Sequence, residues 1–161
     1  MSHTTDAEGN TVAEQRDALE RLFADEYTGM VRLAYTLVGC NTEAEDLVQD
    51  SFVEVSRRLG EIRQPGAYLR TAVVSRCRSA LRRRRVMALH PPEPPAGLAT
   101  TADELWDVLG RLTEDQRIVV VLRYYSGYTA SEIAKIVDTP ASTVRSHLRR
   151  GLTALRKELD A

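Results

Sequence analysis

Apolar residues recur at three- and four-residue spacing through most of this chain, which is the period of an amphipathic helix. No stretch alternates apolar and polar residues as a half-buried strand does. The pattern therefore predicts an all-α protein. Its predicted helices cover residues 12–38, 43–59, 65–87, 102–109, 114–125, 130–137 and 140–158.

Helix-start signals support these assignments. A threonine followed three residues later by Glu or Gln is the capping-box pattern, in which the side chain of each residue bonds the backbone N–H of the other. The pattern occurs at Thr11, Thr42, Thr101, Thr113 and Thr129. Two further starts, Gln64–Pro65 and Thr139–Pro140, place proline in a first turn, where its missing N–H costs nothing.

One proline-rich segment divides the predicted helices. His90 to Thr101 reads HPPEPPAGLATT, and four prolines in twelve residues favour an extended spacer over a helix. The sequence thus predicts two small helical domains, residues 12–87 and 102–159, joined by a Pro-rich linker at 88–101.

Charge is strongly segregated although the net charge is only −1. Residues 1–54 contain twelve acids and three arginines, a net of −9, whereas residues 57–86 contain ten arginines, one acid and no lysine, a net of +9. Arginine's planar fork binds phosphates and base edges in a bidentate manner, which lysine cannot do. The basic segment therefore predicts an anionic partner, and the acidic segment a different one.

Several function classes are disfavoured. The longest apolar run, Ile118 to Leu122, is too short to cross a bilayer, and residues 1–10 carry no secretory signal, so a cytoplasmic protein is expected. We expect Cys40 and Cys77 to be small core residues in a reducing compartment. The chain shows no His–acid–nucleophile set, Gly-rich phosphate loop or metal-ligand spacing, so we predict no enzyme, metal or cofactor.

The last two predicted helices have helix-turn-helix spacing, because only Asp138 and Thr139 separate them. The second helix of such a motif enters the major groove, where Arg can bridge guanine O6 and N7. Its polar face contains no acid and carries Ser142, Arg145, Ser146, Arg149 and Arg150. Thr129 and Ser131 are placed to meet the DNA backbone. The alternative is a charged helix that serves only solubility.

Two other helices carry stripes of polar residues. On the third helix the stripe consists of Thr71, Ser75, Arg78, Arg82 and Arg85, which suits phosphate contacts, and Tyr68 either stacks on an unpaired base or packs in the core. On the second helix the stripe consists of Asp46, Gln49, Asp50 and Val53, which is either a protein-binding face or ordinary solvent surface.

In this order the features resemble bacterial sigma-70 family factors, and the short chain is similar to their extracytoplasmic-function (ECF) group. AEDLVQDSFVEVSRRL, Ala44 to Leu59, resembles the polymerase-binding helix. PGAYLRTAVVSRCRSALRRRR, Pro65 to Arg85, resembles the helix that melts and reads the −10 element. Leu112 to Lys157 resembles the domain that reads the −35 element, and the likeness extends from Ala18 to Leu159.

The resemblance implies a sigma factor that binds core RNA polymerase, through the β′ clamp helices and the β flap, and directs promoter-specific initiation. Residues 12–87 would be sigma region 2 and residues 102–159 sigma region 4. The implied partners are double-stranded promoter DNA, the melted non-template strand and a candidate anti-sigma factor, with no membrane insertion. The alternative is a helix-turn-helix regulator that is not a sigma subunit, although such regulators usually follow a receiver of alternating strands and helices.

The candidate residues then form three sets. For the −35 element they are Thr129, Ser131, Ser142, Thr143, Arg145, Ser146, Arg149 and Arg150. For the −10 element and melting they are Arg63, Tyr68, Thr71, Ser75, Arg78, Arg82, Arg83 and Arg85, with the loop Leu59 to Gly66 holding a flipped base. For polymerase binding they are Asp46, Leu47, Gln49, Asp50, Phe52 and Val53.

The third helix departs from the family pattern at three positions. Family members commonly have Trp at Tyr68, Asn at Ser75 and Asp at Ser79. Tyrosine keeps an aromatic face for stacking, whereas Ser75 lacks the amide that could fix a base. The resemblance therefore leaves −10 specificity open.

Overall fold

A computed structural model describes residues 5–87 and 101–161, and these ranges contain helices and no strand. This confirms the all-α prediction, while the predicted linker falls mostly on residues 88–100, outside the described ranges. The helices are α1 (Thr5–Val38), α2 (Asn41–Arg58), α3 (Pro65–Met87), α4 (Thr101–Gly110), α5 (Glu114–Val120), α6 (Ala130–Ile136) and α7 (Ala141–Leu159). A π-helical turn, Val121–Tyr125, continues α5.

The first three helices form an antiparallel bundle around a core that includes Leu37, Val48, Leu69 and Val73. Cys77 is buried there, as predicted, and burial raises the pKa of its thiol to about 12. The same prediction is wrong for Cys40, which is exposed. It is the N-cap residue of α2, at the surface just after Gly39 (φ 72°) ends α1.

The C-terminal helices enclose a second core. Ile118 and Leu122 pack with Ile133 of α6 and Val144 of α7, and all four side chains are almost fully buried. Gly151 lets α7 lie close against α5, because a Cβ there would come within 2.9 Å of Val120.

Two of the predicted capping boxes are confirmed, those at Thr113 and Thr129. The Thr113 hydroxyl accepts from the N–H of Gln116 at 3.2 Å, and the Thr129 hydroxyl accepts from the N–H of Glu132 at the same distance. Both boxes are reciprocal. Pro65 begins α3, as the sequence predicted.

Other predicted caps are wrong. Thr11 lies inside α1 and Thr42 inside α2. Pro140, not Thr139, is the N-cap residue of α7, since the Thr139 hydroxyl donates instead to the Val137 carbonyl at 3.1 Å. The side chain of Thr101 lies outside the described part of the chain.

The N-terminal half (residues 5–87) and the C-terminal half (residues 101–161) pack against each other. The Trp106 ring covers Gly39 so closely that a Cβ at that position would overlap it. Arg117 of α5 donates to the Leu37 carbonyl at the end of α1, at 3.2 Å. Within residues 5–87 and 101–161, no helix combines the length and apolarity that a membrane span needs.

Candidate nucleic-acid interface

Helices α6 and α7 form the predicted helix-turn-helix. Asp138 adopts a left-handed conformation (φ 49°), and the N–H of Thr139 donates to the Ala134 carbonyl at 3.0 Å, which closes the turn. Ile133 and Val144 are both fully buried and hold the two helices together. This packing leaves the opposite side of α7 facing outward.

The outward side of α7 has the composition predicted for a groove-reading surface. Ser142, Arg145, Arg149 and Arg150 are exposed, whereas Thr143 and Ser146 are half-buried. The only acid of α7 is Glu158, near its other end. The outward side of α7 therefore combines positive arginines with short hydroxyl side chains and carries no acid before Glu158.

Thr129 plays a local structural role. Besides its hydroxyl bond, its N–H donates to the Glu132 carboxylate at 2.7 Å, and the bonds from Thr129 lower the pKa of Glu132. The hydroxyl and the N–H of Thr129 are thus both engaged in the helix cap. Ser131, by contrast, is exposed at the surface of α6.

The contact between the two halves leaves some residues of the predicted α3 stripe exposed and pairs others with the C-terminal half. Thr71, Ser75, Arg82 and Arg83 are exposed, as is Arg63 in the preceding loop. Two other members of the −10 set reach the C-terminal half. Arg78 donates to the Asp115 carboxylate at 2.8 Å and to the Val137 carbonyl at 3.3 Å, and Arg85 lies 3.2 Å from Glu114.

Other arginines of α3 hold the structure together, which charge counting missed. Arg84 donates to the Val38 carbonyl at 2.5 Å and pairs with Glu43. Arg70 lies 5.0 Å from the centre of the Tyr128 ring, a cation–π distance. Many arginines of the basic segment, residues 57–86, are therefore engaged by acids and carbonyls of neighbouring helices.

Tyr68 is half-buried near the start of α3 and bonded to α2. Its hydroxyl donates to Glu54 at 2.5 Å and accepts from Arg58 at 2.8 Å. The bond from the tyrosine lowers the pKa of Glu54 against the opposing effect of burial. The sequence analysis did not single out Glu54 or Arg58. Their four-residue spacing, which places them one helical turn apart on α2, was the available signal.

The predicted polymerase-binding residues of α2 lie in two layers. Asp46, Gln49, Asp50 and Val53 are exposed along one side of the helix. Leu47 and Phe52 are buried beneath them. The Phe52 ring lies 5.2 Å from that of Phe23, which is 48% exposed.

An apolar groove of about 650 Å³ runs along the C-terminal half, and the sequence analysis did not single it out. Its exposed apolar side chains are Tyr124, Tyr125 and Leu159. The remaining lining residues are Thr36, Glu104, Val108, Leu109, Val120, Val121, Leu152 and Leu155. The sequence signal for this groove was the pair Tyr124–Tyr125, which follows the apolar run Ile118 to Leu122.

A helix-turn-helix with an acid-free arginine face, joined to a helical bundle with a second basic surface, is the architecture of a DNA-binding transcription protein. Residues 22–86 match the family model described as sigma-70 region 2, and residues 102–155 match that described as sigma-70, region 4. The chain belongs to the sigma-70 family of RNA polymerase sigma factors, in the ECF group.

Similar proteins agree with this assignment. An RNA polymerase sigma-E factor of Streptomyces coelicolor is 35% identical over 82% of this chain and 80% of its own. The ECF RNA polymerase sigma factor SigM of Mycobacterium tuberculosis is 29% identical over 92% of this chain and 80% of its own. Among solved structures, the sigma factor RpoE of Bartonella quintana, bound to the anti-sigma factor NepR, shares the fold, with a TM-score of 0.71 and 21% identity over 88% of this chain and 96% of its own.

Proposed function

We propose that this sigma factor reads the −35 element with α7, captures the −10 element with α3, and binds core RNA polymerase with α2. The observation that carries this proposal is the outward side of α7, which exposes Arg145, Arg149 and Arg150 on a rigid helix-turn-helix. Residues 12–87 then act as region 2 and residues 102–159 as region 4, joined by the segment 88–101.

Reading of the −35 element rests on the chemistry of that surface. The three exposed arginines can each donate two parallel bonds to a guanine edge or bridge to a phosphate. Ser142, Thr143 and Ser146 are short enough to let the helix lie close to the base pairs. Ser131 and the α6 N-terminal turn that Thr129 caps approach the DNA backbone beside them.

Capture of the −10 element rests on the free part of α3. Thr71, Ser75, Arg82 and Arg83 offer hydroxyls and guanidinium groups to one strand, and Tyr68 offers a ring on which an unpaired base stacks. Arg63, in the loop before α3, contacts the same strand. Arg78 and Arg85 join this surface when they leave Asp115 and Glu114.

Polymerase binding rests on the exposed residues of α2. Asp46, Gln49, Asp50 and Val53 form one continuous face, which the buried Leu47 and Phe52 support. We assign this face to the β′ clamp helices. The apolar groove of the C-terminal half suits the β flap, because exposed tyrosines beside leucines are typical of protein interfaces.

We also propose a cytoplasmic transcription factor that is not an enzyme, because this is what membership of the sigma-70 family implies. The described residues hold no cluster of His, Cys, Asp or Glu suited to a metal ion. An anti-sigma factor is a further candidate partner, since the similarly folded RpoE is bound to one.

The test is run-off transcription with purified core polymerase on a library of promoter fragments. We expect initiation only when this protein is added, and sequencing the transcribed templates should reveal two conserved elements. A helix-turn-helix regulator outside the polymerase would bind duplex DNA but give no transcript with core enzyme alone, and that result would overturn the proposal.

A further inference from the structure

Tyr68 is joined to α2 by a continuous series of polar contacts. Its hydroxyl donates to one carboxylate oxygen of Glu54, and the other oxygen of Glu54 lies 2.8 Å from Arg76. Arg58 donates to the same hydroxyl, and its guanidinium carbon lies 5.4 Å from the ring centre. Arg58 also lies 3.5 Å from Glu61 in the loop before α3.

These contacts determine where the ring points. A tyrosine side chain has two rotatable bonds before its ring, and a donor and an acceptor at its far end restrain both. Glu54 and Arg58 are one turn apart on α2, so they hold the hydroxyl from a rigid element. A phenylalanine would lack these bonds, and a tryptophan, the residue common in the family, carries no hydroxyl for them.

We propose that Glu54 and Arg58 are positioning residues that hold the Tyr68 ring ready to stack on an unpaired base of the melted promoter strand. The inference rests on the proposed role of Tyr68 in capturing that strand. A ring that is already ordered loses less rotamer freedom when a base stacks on it, so the bound state forms at lower entropic cost.

The experiment measures binding of the polymerase holoenzyme to a single-stranded oligonucleotide. The probe is the non-template −10 strand of a promoter selected as described above, together with copies that carry an abasic site at each position in turn. The variants are Tyr68→Ala, Tyr68→Phe, Glu54→Ala, Glu54→Gln and the double variant Tyr68→Phe/Glu54→Ala. Glu20→Ala, which breaks the exposed Arg16–Glu20 pair of α1, is the matched control.

We expect Tyr68→Phe and Glu54→Ala each to weaken binding of the intact strand about three- to tenfold. The double variant should bind about as weakly as the worse single variant, because each single change already removes the Tyr68–Glu54 bond. Glu54→Gln should retain most of the affinity, since its amide oxygen can still accept from the hydroxyl. Glu20→Ala should match the parent.

The abasic probes separate positioning from a general loss of structure. At the position where the base stacks on Tyr68, its removal should abolish the difference between the parent and the variants. A merely structural role for Glu54 would weaken binding of every probe equally, and that result would overturn the inference.

The same experiment distinguishes failure of the proposed role of Tyr68 from failure of the positioning inference. If Tyr68→Ala binds the intact strand as tightly as the parent, Tyr68 does not stack on a base and its assigned role is wrong. If Tyr68→Ala loses affinity while Tyr68→Phe and Glu54→Ala do not, the ring stacks without help and only the positioning inference is overturned.

Discussion

Arg117 is the buried arginine of the C-terminal half, with only 7% of its surface exposed. Its guanidinium donates to three backbone carbonyls, those of Leu109 at 3.0 Å, Leu37 at 3.2 Å and Gly110 at 3.3 Å. It also lies 5.6 Å from the centre of the Trp106 ring. Burial is the main reason that the pKa of Arg117 is lowered. This residue ties the end of α1 to the end of α4.

Replacing Arg117 by Lys should destabilise the protein by about 1–3 kcal/mol. A single ammonium group keeps the charge but cannot reach three carbonyls in different directions, so buried acceptors lose their partners. Urea unfolding should show a lower midpoint for Arg117→Lys than for the parent. Arg16→Lys, the same change at an exposed site of α1, should leave the midpoint unchanged. Equal midpoints for Arg117→Lys and the parent would contradict this assignment.

The arginines on α7 should act on binding rather than on stability. Replacing Arg149 or Arg150 by Ala should weaken duplex binding at the −35 element by about 1–3 kcal/mol for each lost bidentate contact. Core polymerase binding should be nearly unchanged, because both side chains are exposed on the opposite half from α2. Titration of a labelled −35 duplex measures the effect, with Arg32→Ala of α1 as the charge-matched control. Variants that bind their best site like the parent would rule out this surface.

At the level of the helices, local signals predicted most of the fold. Apolar spacing located every helix of the described ranges, because a helix buries one side whatever its neighbours are. The errors lie at the ends of the helices, where assignments are least certain, and the largest is that α1 begins at Thr5 and not at residue 12. The Thr139 hydroxyl donates to the Val137 carbonyl instead of capping α7, and α7 begins one residue later than predicted.

Charge reversal on α2 tests the polymerase-binding face. Asp50 is exposed at the middle of the stripe, so Asp50→Arg should lower the affinity for core polymerase without unfolding the bundle. Glu45→Arg makes the same change beside the stripe and should have a smaller effect. The measurement is capture of core polymerase by the immobilised protein, together with binding of a −35 duplex, which should be retained. Unchanged capture by Asp50→Arg would contradict the assignment of this face.

For the molecule as a whole, the packing of the two halves was beyond sequence reasoning. Nothing local indicates that Trp106 covers Gly39 or that Arg78 meets Asp115, since each pair is distant in the chain. The charge pattern predicted two kinds of surface, one acidic and one basic. It did not reveal that Arg78 and Arg85 pair with acids of α5, because a sequence shows charges but not their neighbours.

This packing has a consequence for Arg78, whose guanidinium cannot contact Asp115 and a phosphate at the same time. The halves must separate, at least locally, before the guanidinium groups of Arg78 and Arg85 are released from the acids of α5. A compact chain of 161 residues should have a radius of gyration of about 15 Å, which small-angle X-ray scattering measures directly. Separated halves joined by residues 88–100 would give a larger value.

Reversing the charge of Asp115 should favour the separated arrangement. The Arg78 and Asp115 side chains are 25% and 42% exposed, so their pairing stabilises the contact by only about 1 kcal/mol, and Asp115→Arg turns it into repulsion. We expect the radius of gyration to rise for Asp115→Arg and to fall again for the double variant Arg78→Asp/Asp115→Arg, which restores the pair with its charges exchanged. Asp160→Arg, at the exposed end of α7, should scatter like the parent. If Asp115→Arg remained as compact as the parent, or if the exchanged pair failed to restore compactness, this ion pair would not contribute to holding the two halves together.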